Sequence, residues 1–76
     1  MTEKIREPLR VKVQSEIRLD QFLKWANVSG SGGQSKIMIQ SGMVKVNHTV
    51  ETRRGKMLKG NDLVEVEGVG SFLVVM

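Results

Sequence analysis

From Leu9 to Gln14 apolar and polar side chains alternate, with Leu9, Val11 and Val13 on one side and Arg10, Lys12 and Gln14 on the other. A period of two is that of a strand with one face against a core, so the spacing predicts a β-strand beginning just after Pro8. Leu19, Phe22, Leu23 and Ala26 then recur at i, i+3, i+4 and i+7, which is one face of an amphipathic helix. Asp20 falls in its first turn, where the helix dipole favours a carboxylate, and the helix is expected to end near Asn27. Ser29 to Gly33 has the composition of a loop, and Ser31 is placed to cap a second helix from about Gly33 to Ser41, with Gly42 just past its end. This helix carries Ser35, Ile37, Met38 and Ile39. Met43, Val44 and Val46 lead into Asn47-His48 and then Val50, the pattern of a β-hairpin turning on an Asn. Leu63, Val64 and Val66 predict another strand and Phe72 to Val75 a last one, with Gly68 and Gly70 supplying the turn between them. No repeat, linker or low-complexity stretch interrupts the chain. Residues 1–76 are therefore expected to form a single α+β domain, two short helices packed on a small, mainly antiparallel sheet.

Length and composition narrow the chemistry. A chain of 76 residues buries only about 60% of the surface its unfolded form exposes, which leaves little room for a deep cleft between two lobes. It has no Cys and one His, His48, so disulfides, thiolate metal sites and cysteine nucleophiles are excluded, and the acids show no ligand-like spacing. No metal and no cofactor are expected, and no nucleophile, base and orienting acid assemble into a catalytic set. The longest apolar run, Phe72 to Met76, is five residues, against roughly 20 for a membrane span. Met1 to Pro8 alternates charges without the apolar centre of a signal peptide. The expectation is a cytoplasmic protein with no membrane association and no small-molecule substrate.

Charge changes the picture more. Twelve Lys and Arg against eight Asp and Glu give a net +4, but residues 1–35 carry +2, residues 36–59 carry +5 and residues 60–76 carry −3. A clustered positive excess points to an anionic partner, because a merely solvated face intermixes signs. Arg53, Arg54 and Lys56, flanking Gly55 and followed by Lys59, are the densest basic segment, able to follow a phosphate backbone with both planar forks and point charges. The Gly30 to Lys36 stretch invites comparison with a phosphate-cradling loop, but lacks both the Gly-Lys-Ser/Thr and the GxGxxG pattern and follows a helix. It reads first as a helix connection. Trp25, beside Lys24, is either packed at the core edge or free to stack on a base. His48 reads as an exposed turn residue with no acidic neighbour in sequence, and the Met residues as core filling or end effects.

Three blocks in order, Arg18-Leu-Asp-Gln-Phe-Leu23, Ser31 opening a short helix, and Ile39-Gln-Ser-Gly-Met-Val-Lys-Val-Asn47, resemble the S-four-type RNA-binding domain, also called the alpha-L motif. The resemblance spans about residues 17–66. The Ser-Gly-Gly loop and Glu51 to Lys56 look most like the small stand-alone bacterial YbcJ/YaaA-like subfamily. It implies the alpha-L fold and non-catalytic RNA binding, linked in some members to ribosomes. Three departures stand out: Gly32 where the family commonly has Arg, Asn47-His48 where it commonly has Asn-Gly, and Gly60-Asn61-Asp62 where Gly-Asp is usual. A His at a positive-φ turn position is unfavourable but tolerated.

Together these readings predict a non-enzymatic binder of structured RNA, with ribosomal RNA or ribosomal particles as partner. Its basic face would be built from the two helices and the following hairpin and loop. Arg18, Lys24, Lys36, Lys45, Arg53, Arg54 and Lys56 are the expected phosphate contacts, and Gln40 and Asn47 the expected sugar or base contacts. The resemblance implies Arg18, Lys36, Gln40, Lys45 and Asn47 directly. Two rivals are an adaptor whose basic face meets an acidic protein and a helix-turn-helix-like binder of duplex DNA. The second helix speaks against DNA, since Lys36 is its only base.

Overall fold

The computed structural model describes residues 8–76. The alternation after Pro8 becomes strand β1 (Leu9–Lys12), which continues through Val13 by a hydrogen bond from its N–H to the Val75 carbonyl at 2.8 Å. The pair Ile17–Arg18 forms a short strand, β2, that runs straight into helix α1 (Leu19–Trp25). Leu19, Phe22 and Leu23 are fully buried as the i, i+3, i+4 spacing requires, and Ala26 packs at the edge of the same cluster. α1 stops because Asn27 turns left-handed (φ 60°). The N–H of Asn27 donates to the Lys24 carbonyl (3.1 Å) and that of Val28 to the Leu23 carbonyl (2.8 Å), the paired bonds of a Schellman ending.

Helix α2 (Gly32–Gln40) starts one residue earlier than the spacing suggested, with Ser31 as its cap: Ser31 Oγ accepts from the Gln34 N–H at 3.2 Å. The Gln34 side chain reaches back to accept from the Gly30 N–H at 2.7 Å, so the glycine-rich loop is held by its own polar side chains. α2 buries Ser35 and Ile39 and leaves Ile37 exposed; the Ser35 hydroxyl is paired with that of Ser29, which satisfies both away from water. It too ends in a Schellman arrangement, with Gly42 at φ 85° and bonds from Gly42 N–H to Ile39 and from Met43 N–H to Met38.

Both helices cover one face of a five-stranded sheet. Strands β3 (Val44–Val46) and β4 (Thr49–Val50) form the expected hairpin, and Asn47 and His48 both take positive φ (52° and 70°), the geometry of a type I′ turn. After β5 (Met57–Leu58) come β6 (Leu63–Val66) and β7 (Gly70–Val75), and the sheet order is β1-β7-β6-β3-β4. All pairs are antiparallel except β1 with β7. The register aligns Val46, Val64 and Phe72, and beside them Val44 with Val66 and Val11 with Val74, on the face toward the helices. Period-two alternation thus supplies the sheet half of the core and α1 with Ile39 the helical half.

Two elements lay outside the sequence expectation: β2 and β5, which pair antiparallel with Ile17 opposite Leu58 and Arg18 opposite Met57. Each is two residues long, too short for any period to show. Their pairing buries Leu58 completely and draws residues 53–58 to the start of α1.

Leu23 is fully enclosed at the junction of α1 with the core. Leu23→Ala is expected to cost about 2–5 kcal/mol through the cavity it leaves, a large fraction of the stability of a domain this small. Chemical denaturation checks it, and an unchanged midpoint would place this side chain outside the core.

Candidate nucleic-acid interface

The first two turn-forming amides of α1 find no side-chain cap at Arg18. Instead the Leu19 N–H donates to the Lys56 carbonyl at 2.8 Å and the Asp20 N–H to the Arg54 carbonyl at 3.1 Å. Carbonyls of the basic segment thus satisfy the positive end of the helix, and the side chains of that segment are left for solvent: Arg53 and Arg54 are exposed and Lys56 half-buried. The same geometry places Arg18 beside Met57 on the β2–β5 ladder. Arg18, Arg53, Arg54 and Lys56, spread over 39 positions of sequence, meet at one end of α1.

Two of these side chains are oriented by carboxylates. Arg18 Nη2 lies 2.9 Å from Oδ2 of the buried Asp20, whose Oδ1 accepts from the Gln21 N–H at 2.8 Å. Arg53 is gripped by Glu51: Oε2 accepts from the Arg53 backbone N–H (3.1 Å) and from Nε (3.0 Å), and Oε1 accepts from Nη2 (3.2 Å). That fork holds the Glu51 carboxyl below its usual pKa, with burial opposing in part, and raises the Arg53 guanidinium further. Part of the Arg53 fork is therefore already occupied, while Arg54 and Lys56 are in no ion pair among the described residues.

The other expected contacts distribute unevenly. Lys24 lies on the exposed flank of α1, two helical steps of three beyond Arg18 and one beyond Gln21. Lys36 and Gln40 are exposed and four apart on α2, hence on one flank of it. Lys45 points the other way: its neighbours on β3, Val44 and Val46, are buried under the helices, and its cross-strand partners are Val50 and Glu65 on the outer face. Asn47 has its amide engaged within the fold, Oδ1 accepting from the Leu63 N–H at 2.9 Å and Nδ2 donating to Asp62 Oδ1 at 3.1 Å. Asp62 Oδ2 in turn accepts from the Lys59 N–H at 3.0 Å, so the longer Gly60-Asn61-Asp62 turn is tied to the hairpin tip. Lys45 and Asn47 thus do not converge with the cluster at α1.

His48 is exposed at its turn as expected, yet it has an acidic neighbour in space: Nδ1 lies 3.0 Å from Oε1 of Glu65 on β6, the strand on the other side of β3. Only strand register brings residues 17 apart together in this way. The clamp of Glu51 on Arg53 was likewise missed, although a Glu two residues before an Arg in an extended segment was a readable signal.

A family model described as the S4 domain matches residues 10–75. The chain belongs to the S4 domain family. Among curated relatives of this S4 chain, the probable ribosome maturation protein RlbA of Bacillus subtilis (strain 168) is 49% identical over 59 residues, covering 78% of this chain and 83% of RlbA. Among solved structures, the solution structure of YbcJ from E. coli, reported as revealing an alfaL motif involved in RNA-binding, aligns with a TM-score of 0.71 at 31% identity. The alignment covers 100% of this chain and 98% of YbcJ. The alpha-L architecture, two helices on a mixed, mostly antiparallel sheet, is thereby common to both, and the expected subfamily is borne out in the YbcJ likeness.

Because Glu51 has a lower pKa folded than unfolded, its contribution to stability is present at neutral pH and is lost as pH falls through the folded value. Arg53→Ala is expected to move the Glu51 titration back up toward that of an ordinary carboxylate, as read by carboxyl-carbon NMR. An unmoved titration would assign the depression to another cause.

Proposed function

We propose that this S4-family chain is a non-catalytic binder of structured RNA, acting in the cytoplasm on ribosomal RNA or a ribosomal particle. The observation that carries this reading is the meeting of Arg18, Arg53, Arg54 and Lys56 at the start of α1. Lys24 extends the surface along α1, and Lys36 and Gln40 supply a second flank on α2. Arg forks and Lys charges at this density suit phosphates, which position a protein on RNA without reading sequence. The relatives named for ribosome maturation and for RNA binding support the same partner class. Lys45 and Asn47 fall outside the proposed surface, the first facing away from the helices and the second tying the hairpin to Asp62. The loss of the usual Arg at Gly32 is consistent with contacts weighted toward the 53–56 segment.

Phosphate-dominated binding is expected to show a steep log–log dependence on salt, with a slope of about −0.7 per neutralised phosphate on single strands and about −0.9 on duplex. Five contacts would give a slope of about −3.5 on single strands and about −4.5 on duplex. Arg53→Ala combined with Arg54→Ala keeps the backbone carbonyls that cap α1, so the fold is expected to hold within about 0.5 kcal/mol. Affinity for RNA should fall and the slope should become shallower by just under one unit for each lost contact. Arg10→Ala with Lys45→Ala removes the same charge from the outer face of the sheet. Equal losses in both double variants would replace the α1 site by a diffuse basic surface, and a salt-independent affinity would remove the electrostatic reading altogether. Crosslinking in cells with sequencing of the bound fragments identifies the RNA.

A further inference from the structure

Trp25 is 63% exposed at the last position of α1. It is also pinned: its indole N–H donates to the Lys12 carbonyl at 3.0 Å, which ties the ring to the end of β1. An indole whose one polar group is already satisfied offers only its π-face to a ligand. Two shallow grooves, of about 370 Å³ and about 430 Å³, share Ile17, Gln21 and Trp25 in their walls. The first is completed by Val13 to Glu16 and so carries the Glu16 carboxylate, whereas the second is completed by Lys24 and Asn27 and carries no acid.

We propose that the groove on the Lys24 side is a subsite for one unpaired base of the bound RNA, stacked on Trp25. The proposal rests on the RNA-binding reading and deepens it. From Arg18, just before α1, Gln21 and Lys24 follow at intervals of three along the helix, so a backbone held at the basic start of the helix is led toward the groove about one turn, or about 5 Å, at a time. Lys24 supplies the charge for the phosphate on that path. Gln21 and Asn27 line the same groove, and their side-chain amides carry donors and acceptors suited to a base edge and wasted on an apolar protein side chain. Glu16 makes the opposite groove hostile to a polyanion. Stacking tolerates any base, because each has a π-face, so the subsite selects unpaired over paired nucleotides rather than a sequence.

Trp25 is the only Trp and the chain has no Tyr, so its emission reports this site alone. The full chain is titrated with two RNAs that differ by one nucleotide, a fully paired duplex and the same stem with one added bulged nucleotide. Quenching by the bulged RNA and little by the duplex is the expected result. Trp25→Leu should then weaken binding of the bulged RNA by about 5- to 150-fold with duplex affinity unchanged, and Trp25→Phe should keep most of it. If both RNAs bind with a steep salt dependence but emission and Trp25→Leu affinity do not distinguish them, the subsite is overturned and RNA binding stands. If neither RNA binds, both readings fall. Equal quenching by an acidic polypeptide would turn the groove into a protein contact and overturn the base. The quenching titration uses the native chain, so it decides the matter even should Trp25→Leu fold poorly.

Discussion

Two backbone hydrogen bonds, from the Leu19 and Asp20 amides to the Lys56 and Arg54 carbonyls, hold the rest of the candidate site in place. A seven-residue helix is marginal in isolation, and its unsatisfied first-turn amides would otherwise need water or a capping side chain that Arg18 does not provide. Taking carbonyls from a distant basic segment meets that need and, by the same act, turns four cations to one place. Like charges brought together repel, which is tolerable because Asp20 and Glu51 each hold one Arg and because the remaining side chains stay in solvent. The local helix requirement and the charge distribution are therefore a single constraint seen from two sides.

Most of the fold was legible in the sequence wherever an element is long enough to display a period. The α1 face, the Ser31 cap, the hairpin turn at Asn47-His48 and the last two strands all follow from spacing or turn chemistry. The parallel partnership of β1 with β7 and the β2–β5 ladder did not follow, since register is a property of two strands and neither strand of a two-residue pair carries a pattern. The candidate site was legible as composition: the excess of charge in residues 36–59 named Arg53, Arg54 and Lys56. It was not legible as geometry. Lys45 alternates with two buried valines, so it was bound to face away from the helices once the sheet was covered on one side only, and Asn47 was needed to accept from Leu63 before it was free to meet any ligand.

The blocks that carry the family likeness prove to be largely architectural. In Arg18-Leu19-Asp20 the Leu is fully buried, the Asp is buried and paired, and only the Arg reaches solvent. In Gly42 to Asn47 the Gly supplies a left-handed helix ending and the Asn a bridge between turns. Kinship measured on such blocks reports that the scaffold is shared with RlbA and YbcJ. Of the proposed RNA contacts, Trp25 lies between the first two of those blocks and Arg53, Arg54 and Lys56 follow the last of them.

The parallel pairing of β1 with β7 has a practical corollary for anyone attaching a probe. Because the two strands run the same way, Val75 lies beside Lys12 and the Val13 amide, and the Lys12 carbonyl is the anchor of the Trp25 ring. A dye or affinity handle coupled after Met76 therefore emerges next to the indole, within easy reach for energy transfer and equally able to crowd the groove. One coupled to a Cys substituted for the exposed Val69, in the turn just before β7, lies at the far end of that strand and leaves the indole unobstructed.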